Sequence, residues 1–331
     1  MEADASTALG PSSCALGPHS IGMLDARHLC TASFSSASIY YPESDGSQLP
    51  SIVIVGGWGC GEQVVAAWAP FYASHGIVAM TIGTPTPWKN LPPDRCQALL
   101  DASSALQSEN VRVGSVLQGR LDVSSRAVQG YSLGGGGAQL AALKDQTLKC
   151  IIALCPDDGK DLGSVFPTEL SASVPVLIIC GEKDTDANVK TQAWSHYRLT
   201  GATKLIFEVA GGDHYVANGP AGGTESDIDQ GACQGLCALC NCACVICMCM
   251  VCPRQLWCVP CPYGTLSGSS GHAKDHAPRG AVGGVALAWL QLFLLGDENA
   301  RSKLAICPGI GSGFESNGVV TAPAMEIMST A

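Results

Sequence analysis

With 331 residues, of which 47% are hydrophobic and 14% charged, the chain is long enough for one large domain or two small ones and too apolar to be disordered throughout. Its 18 Lys and Arg residues against 28 Asp and Glu residues give a net charge of −10. This acidic balance argues against a non-specific nucleic-acid binder, because such a protein needs a basic face to contact phosphates.

The N-terminal residues carry acids where a secretory signal has basic residues, and they lack its long apolar core. A cytoplasmic location is therefore favoured, with secretion as the alternative. We expect residues 1–16 to form a flexible leader, residues 17–307 one folded domain and residues 308–331 a flexible tail.

Short apolar runs alternate with segments of helical character through most of the chain. The apolar runs predict strands at 36–42, 51–57, 76–83, 126–131, 149–156, 174–181 and 203–212. The other segments predict helices at 63–74, 94–108, 133–144, 188–198 and 280–295. Wholly apolar strands that alternate with helices indicate the α/β class, with a mostly parallel sheet covered by helices on both faces.

A segment rich in Cys, Gly and Ser at 220–278 interrupts this alternation, and we predict a poorly ordered insertion before the last helix. Ten of the 18 cysteines lie between Cys233 and Cys261. Their spacings overlap, whereas zinc sites favour paired cysteines separated by a longer loop. A zinc site, soft-metal binding, disulfide pairing and S-acylation are the alternatives to a low-complexity insertion.

Two stretches approach the hydrophobicity of a membrane span, namely residues 230–253, which carry no charge, and the predicted helix at 280–295. A crossing at 230–253 would put that helix on the opposite side of the membrane from the sheet it should cover. We therefore expect no transmembrane span.

The motif Gly130-Tyr131-Ser132-Leu133-Gly134 follows a predicted strand and opens a predicted helix. This is the context of a nucleophile elbow, in which a tight turn lifts a serine hydroxyl above the edge of the sheet. Glycines are needed two positions before and after the serine, because side chains there would clash with neighbouring elements. Ser132 is therefore the candidate nucleophile.

A serine hydroxyl needs a general base, and in this type of site the acid and the histidine follow the serine along the chain. His214 follows the predicted strand at 203–212 and is the candidate base. Asp184 follows the strand at 174–181 and is the candidate orienting acid, with Asp186 as its rival. The loop that contains Trp58 follows an early strand, so the backbone amides of Trp58 and Leu133 are the candidate oxyanion donors.

Several stretches together resemble the polyesterase–lipase–cutinase branch of the α/β-hydrolases, the group that includes bacterial cutinases and polyethylene-terephthalate hydrolases. The similar stretches are 40–42, 54–82, 119–138, 174–184 and 208–218. The resemblance covers about residues 17–220 and 279–307 and implies an α/β-hydrolase fold. By this resemblance Ser132, Asp184 and His214 take the triad positions, and Trp58 and Leu133 the oxyanion positions.

The resemblance also implies a substrate wall formed by Trp58, with Tyr131 as the aromatic neighbour of the nucleophile. Asp157 and Asp158 stand where the family often has a tryptophan. The implied activity is that of a serine carboxylic-ester hydrolase that acts on small or polymeric esters and needs neither a metal nor an organic cofactor. The alternative is an inactive hydrolase-fold protein that serves as a thiol-rich metal-binding or membrane-associated module. The sequence indicates no oligomeric state.

Overall fold

The computed structural model describes residues 15–44, 48–222 and 276–305, and an eight-stranded mixed sheet forms its centre. The strands, in chain order, are β1 Ile21–Asp25, β2 Ser36–Pro42, β3 Leu49–Val55, β4 Val78–Gly83, β5 Leu121–Tyr131, β6 Cys150–Leu154, β7 Val176–Gly181 and β8 Lys204–Val209. Their spatial order is β1-β2-β4-β3-β5-β6-β7-β8. Strand β2 pairs antiparallel with β1 and β4, and all the other pairs are parallel. The expected mostly parallel sheet is confirmed.

Helices cover both faces of this sheet. They are α1 Trp68–Ser74, α2 Pro92–Ser108, α3 Leu133–Lys144, α4 Ala193–Leu199, α5 His276–Leu294 and α6 Asn299–Ala305. Short 3₁₀ helices lie at Arg27–Leu29, Glu62–Val65, Lys160–Leu162 and His214–Ala217. This arrangement is consistent with an α/β-hydrolase fold.

Strand residues alternate between two buried apolar clusters, one on each face. Ile52 and Ile54 of β3 pack in the cluster that includes Trp68 of α1 and Trp289 of α5. Val53 and Val55 pack in the other cluster, together with residues of α2 and α3. Because successive side chains of a strand point to opposite faces, a wholly apolar strand must be covered on both sides. This explains why four successive residues of β3, from Ile52 to Val55, are all apolar.

The register brings the carboxyl ends of the central parallel strands to one edge of the sheet. Val55 of β3 lies opposite Gly130 of β5, and Gly130 lies opposite Ala153 of β6. On the other side of β6, Ile179 of β7 lies opposite Phe207 of β8. Loops that follow β3, β5, β7 and β8 therefore meet above the same edge, where ligands bind in sheets of this type.

The structure differs from the sequence prediction at several elements. Helix α6 was not predicted, and strand β5 begins at Leu121 instead of at residue 126. Strand β1 was not predicted; it is a five-residue edge strand whose short apolar stretch contains Gly22 and leaves Met23 60% exposed. The helix predicted at 63–74 is divided into the 3₁₀ helix Glu62–Val65 and α1. The helix predicted at 188–198 begins only at Ala193, because the Asn188 side chain accepts the amides of Lys190 and Thr191 and forms a turn instead.

The Cys-rich segment between Cys233 and Cys261 lies outside the described residues, as do residues 1–14 and 306–331. Among the helices that the structure describes, none combines the length and the apolarity that a bilayer crossing requires. Helix α5 instead supplies much of one buried cluster, and Ala281, Trp289 and Leu290 have no exposed surface.

Candidate active site

Ser132 lies in the sharp turn between β5 and α3, with φ 57° and ψ −121°. A positive φ is strained for a residue with a Cβ, so the surroundings must hold it in place. The Ser132 amide donates to the Leu154 carbonyl at 2.8 Å, and the Ser132 carbonyl accepts from the amides of Gly135, Gly136 and Asp157 at 2.8, 3.2 and 3.0 Å. These hydrogen bonds fix the turn that was predicted as a nucleophile elbow.

Two glycines make room for this turn. A Cβ added at Gly130 would overlap the Gly134 carbonyl oxygen. A Cβ added at Gly57, in the loop after β3, would lie 2.5 Å from the Ser132 Cβ and 3.1 Å from its Oγ. The loop that carries Trp58 therefore contacts the serine directly, and any side chain at Gly57 would displace one of the two.

Three side chains from different loops form a hydrogen-bonded line above the edge of the sheet at which the parallel strands end. His214 Nε2 lies 3.0 Å from Ser132 Oγ, and His214 Nδ1 lies 2.8 Å from Asp184 Oδ2. Asp184 follows β7, and its other oxygen, Oδ1, accepts the Ala187 amide at 2.9 Å. His214 opens the 3₁₀ helix after β8. The structure thus brings together the three residues that the sequence singled out, whereas Asp186 is exposed to solvent.

Burial and charge act in opposite directions on the imidazole. Ser132 and His214 are each 8% exposed and Asp184 is 2% exposed. Burial lowers the pKa of His214, but the hydrogen bond and the negative charge of Asp184 outweigh it, so the pKa is raised above 6.5. The pair is therefore arranged to stabilise an imidazolium ion.

Tyr131 lies behind His214. Its ring is 2% exposed, its hydroxyl donates to the His214 carbonyl at 3.1 Å, and the two ring centroids are 5.2 Å apart. The observed contact supports the loop that carries His214, and a direct contact of Tyr131 with substrate stays a prediction.

The two candidate oxyanion donors come from different elements. Leu133 is the first residue of α3, where backbone amides have no partner within the helix and favour negative charge. Trp58 lies in the loop after β3, and its indole Nε1 donates to the Trp88 carbonyl at 2.9 Å. The two indole rings meet edge to face, with centroids 4.9 Å apart. Trp88 was not predicted from the sequence.

Cys155, Asp184 and His214 could in principle ligate a metal, since their ligand atoms all lie within 4.8 Å of one another. Burial, together with the negative charge of Asp184, raises the pKa of the Cys155 thiol well above its ordinary value. A neutral thiol is a poor ligand, and a metal at His214 Nδ1 would displace the hydrogen bond to Asp184. The donor set fits an oriented imidazole better than a metal centre.

Comparisons with known proteins identify the family of the chain. A family model described as PET hydrolase-like matches residues 7–227. Cutinase 1 of Thermobifida cellulosilytica is 32% identical over 207 residues, which are 62% of this chain and 74% of that protein. Lipase 1 of Moraxella sp. (strain TA144) is 30% identical over 201 residues, 60% of this chain and 59% of that protein.

The name of a third relative states its substrate. A bis(hydroxyethyl) terephthalate hydrolase of Streptomyces coelicolor is 31% identical over 206 residues, which are 61% of this chain and 62% of that protein. The chain thus spans between 59% and 74% of the length of these three relatives.

Proposed function

Because this chain belongs to the PET hydrolase-like family, we propose that it is a serine carboxylic-ester hydrolase with a Ser132–His214–Asp184 triad on an α/β-hydrolase fold. The observation that carries the proposal is the unbroken hydrogen-bonded line from Asp184 through His214 to Ser132 Oγ. It supplies a base within reach of a hydroxyl and an acid within reach of the base, which is what a serine nucleophile requires.

The proposed reaction has two halves. In the first half His214 Nε2 takes the Ser132 proton while Oγ attacks the ester carbonyl carbon. His214 then gives this proton to the alcohol oxygen, the bond from that oxygen to the acyl carbon breaks, and the acyl group remains on Ser132 as an acyl-enzyme. In the second half His214 Nε2 takes a proton from water as the water oxygen attacks the acyl carbon. The bond from that carbon to Ser132 Oγ then breaks, Oγ takes the proton back, and the carboxylic acid is released. Asp184 keeps the His214 proton on Nδ1, so that Nε2 can accept, and it stabilises the imidazolium formed in each half.

The amides of Leu133 and Trp58 are proposed to bind the oxyanion. The start of α3 directs backbone amides and a helix dipole toward negative charge, and the loop of Trp58 touches Ser132 through Gly57. All proton transfers use side chains of this chain and water, so the proposed mechanism requires no metal or organic cofactor.

The proposed substrates are carboxylic esters, and the exposed surface nearby favours apolar or aromatic ones. Trp58 and Trp88 are 38% and 52% exposed and form an aromatic pair, and Trp58 itself belongs to the loop that touches Ser132. A relative that is 31% identical over 206 residues is described as a bis(hydroxyethyl) terephthalate hydrolase. Small aryl esters and hydroxyethyl terephthalate are therefore the substrates to test first.

We expect the purified protein to hydrolyse p-nitrophenyl butyrate and bis(hydroxyethyl) terephthalate, with Trp88→Ala reducing kcat/KM for the aromatic diester by about threefold to tenfold. The measurement is product release by absorbance and chromatography. Val113→Ala is the control for surface truncation, because it shortens an exposed apolar side chain in the loop before β5, at the opposite edge of the sheet from the carboxyl ends of the strands. No turnover of either ester by folded protein would contradict the proposed function.

The rate should fall on the acid side of a midpoint above pH 6.5. Only neutral His214 can accept the Ser132 proton, and its pKa is raised above 6.5 by Asp184 against the opposing effect of burial. The protonated, inactive form therefore dominates below that raised pKa, and the acid limb of kcat/KM should drop about tenfold per pH unit. A pH profile at constant ionic strength measures this, and an acid limb centred well below pH 6.5 would contradict the assignment.

A further inference from the structure

Arg95 of α2 is a buried cation that the triad does not use. The residue has no exposed surface. Its guanidinium donates to three backbone carbonyls: Nη1 to Gly56 at 2.8 Å, Nη2 to Pro87 at 2.8 Å and Nε to Asn90 at 3.2 Å. The planar guanidinium group carries donors on all three nitrogens and can bind three carbonyls in different directions. The single ammonium of a lysine cannot reach all three.

These carbonyls belong to two loops that lie beside the nucleophile. Gly56 directly precedes Gly57, which touches Ser132, and Trp58, a candidate oxyanion donor. Pro87 and Asn90 flank Trp88, whose carbonyl accepts the Trp58 indole. The Gly59 amide also donates to the Pro87 carbonyl at 3.0 Å. Arg95 therefore cross-links the loop at 56–60 to the loop at 84–91 from the buried side.

The charge of Arg95 is not neutralised by a close carboxylate within the described ranges, since no ion pair involves it there. Burial lowers the pKa of Arg95 to about 10, while Cys60 and Asp94 act in the opposite direction, so the side chain stays protonated at neutral pH. A buried cation without an ion-pair partner is unfavourable for stability alone. Arg95 lies beneath the loop that contacts Ser132. Its positive charge there would stabilise a negative charge that develops on the other side of the loop during attack on an ester.

We propose that Arg95 is a positioning residue that fixes the Gly56–Trp58 backbone over Ser132 and adds positive potential for the oxyanion of the tetrahedral intermediate. This inference rests on the proposed esterase function. Helix α2 would thus contribute to stabilisation of the transition state through Arg95, in addition to the triad and the glycine-rich turn.

Two variants distinguish the contribution of the guanidinium hydrogen bonds from that of the positive charge, because Arg95→Ala removes both and Arg95→Lys keeps the charge. We expect Arg95→Ala to lower kcat for p-nitrophenyl butyrate by about 10²-fold and Arg95→Lys by about tenfold, with KM within threefold of the wild type, because the lost interactions act on the transition state. The affinity for phenylboronic acid, which forms a tetrahedral adduct with a nucleophilic serine, should fall in parallel with kcat. A residue that served only the stability of the fold would lower the melting temperature and leave the kcat of the folded fraction unchanged.

Arg126→Ala is the matched control. Like Arg95, Arg126 is an arginine held by several acceptors, Asp145 and Thr147 among them, although its side chain is 17% exposed and paired with Asp145. It lies on β5 away from the carboxyl end of that strand. The Arg126→Ala substitution should lower the melting temperature without changing kcat. A kcat within threefold of the wild type in Arg95→Ala, or a fall in kcat with unchanged boronic-acid affinity in Arg95→Lys, would overturn the proposal.

Hydrogen exchange distinguishes failure of this inference from failure of the proposed function. If the wild type hydrolyses no ester, the proposed function fails, and the loop contacts are still testable in the full chain. We expect amide exchange in 56–60 and 84–91 to be faster in Arg95→Lys than in the wild type, and unchanged in Arg126→Ala. Unchanged exchange in both loops of Arg95→Lys would overturn the positioning role whatever the enzyme does to esters.

Discussion

Replacing Ser132 with alanine is expected to lower kcat for p-nitrophenyl butyrate by about 10⁴-fold or more. The substitution removes the only atom of the triad that forms a bond to the substrate, and it leaves the turn intact, since the hydrogen bonds that hold it come from the Ser132 backbone. Initial-rate measurements at saturating ester give the loss, and circular dichroism verifies the fold.

Ser51→Ala is the control for this substitution. Its hydroxyl is also buried and accepts a hydrogen bond from Gln107 Nε2 at 2.9 Å, but it lies near the start of β3, remote from the carboxyl ends of the strands. Loss of this bond should cost about 1 kcal/mol of stability and leave kcat unchanged. A Ser132→Ala protein that kept more than a tenth of the wild-type kcat would show that another group attacks the ester.

Asp184→Asn is expected to lower kcat by about 10³–10⁴-fold while the fold is retained. Asp184 Oδ1 accepts the Ala187 amide at 2.9 Å, so an asparagine at this position would keep its carbonyl oxygen there and turn its NH₂ group toward His214 Nδ1. The imidazole would then accept at Nδ1 and carry its proton on Nε2. That tautomer cannot take the proton of Ser132.

Asp186→Asn distinguishes between the two aspartates that the sequence offered for this role. Asp186 is exposed and acts on His214 only through its charge. Its replacement should change kcat by less than about threefold, because an exposed charge is screened by water and salt. If Asp186→Asn were the more damaging of the two substitutions, the assignment of Asp184 would be wrong.

The sequence predicted the α/β class and the residues that meet at the candidate site because both follow from local rules. Wholly apolar strands must be buried on both faces, and parallel strands end at the same edge. A residue that follows β5, β7 or β8 therefore arrives at one place. Ser132, His214 and a pair of candidate acids, Asp184 and Asp186, could be picked from the serine motif and chain order. The choice between Asp184 and Asp186 could not be made in this way, because it depends on which carboxylate the loop turns inward.

Arg95 and Trp88 were missed, because nothing in their own sequence context marks them. Arg95 occupies an ordinary position in an amphipathic helix and becomes special only when α2 packs beneath the loops at 56–60 and 84–91. Trp88 lies in a proline-rich loop without periodicity, and its partner Trp58 is 30 residues away in the chain. Contacts between loops of this kind depend on tertiary packing, which no local pattern encodes.

The most direct test of the account is to locate a covalent adduct. A p-nitrophenyl phosphonate should react with one serine per chain, with release of p-nitrophenol and parallel loss of esterase activity, and peptide mass spectrometry should find the phosphonyl group on Ser132. His214→Ala should react far more slowly, since the base is absent. Rapid modification of another residue, or full esterase activity after complete modification of Ser132, would contradict the account.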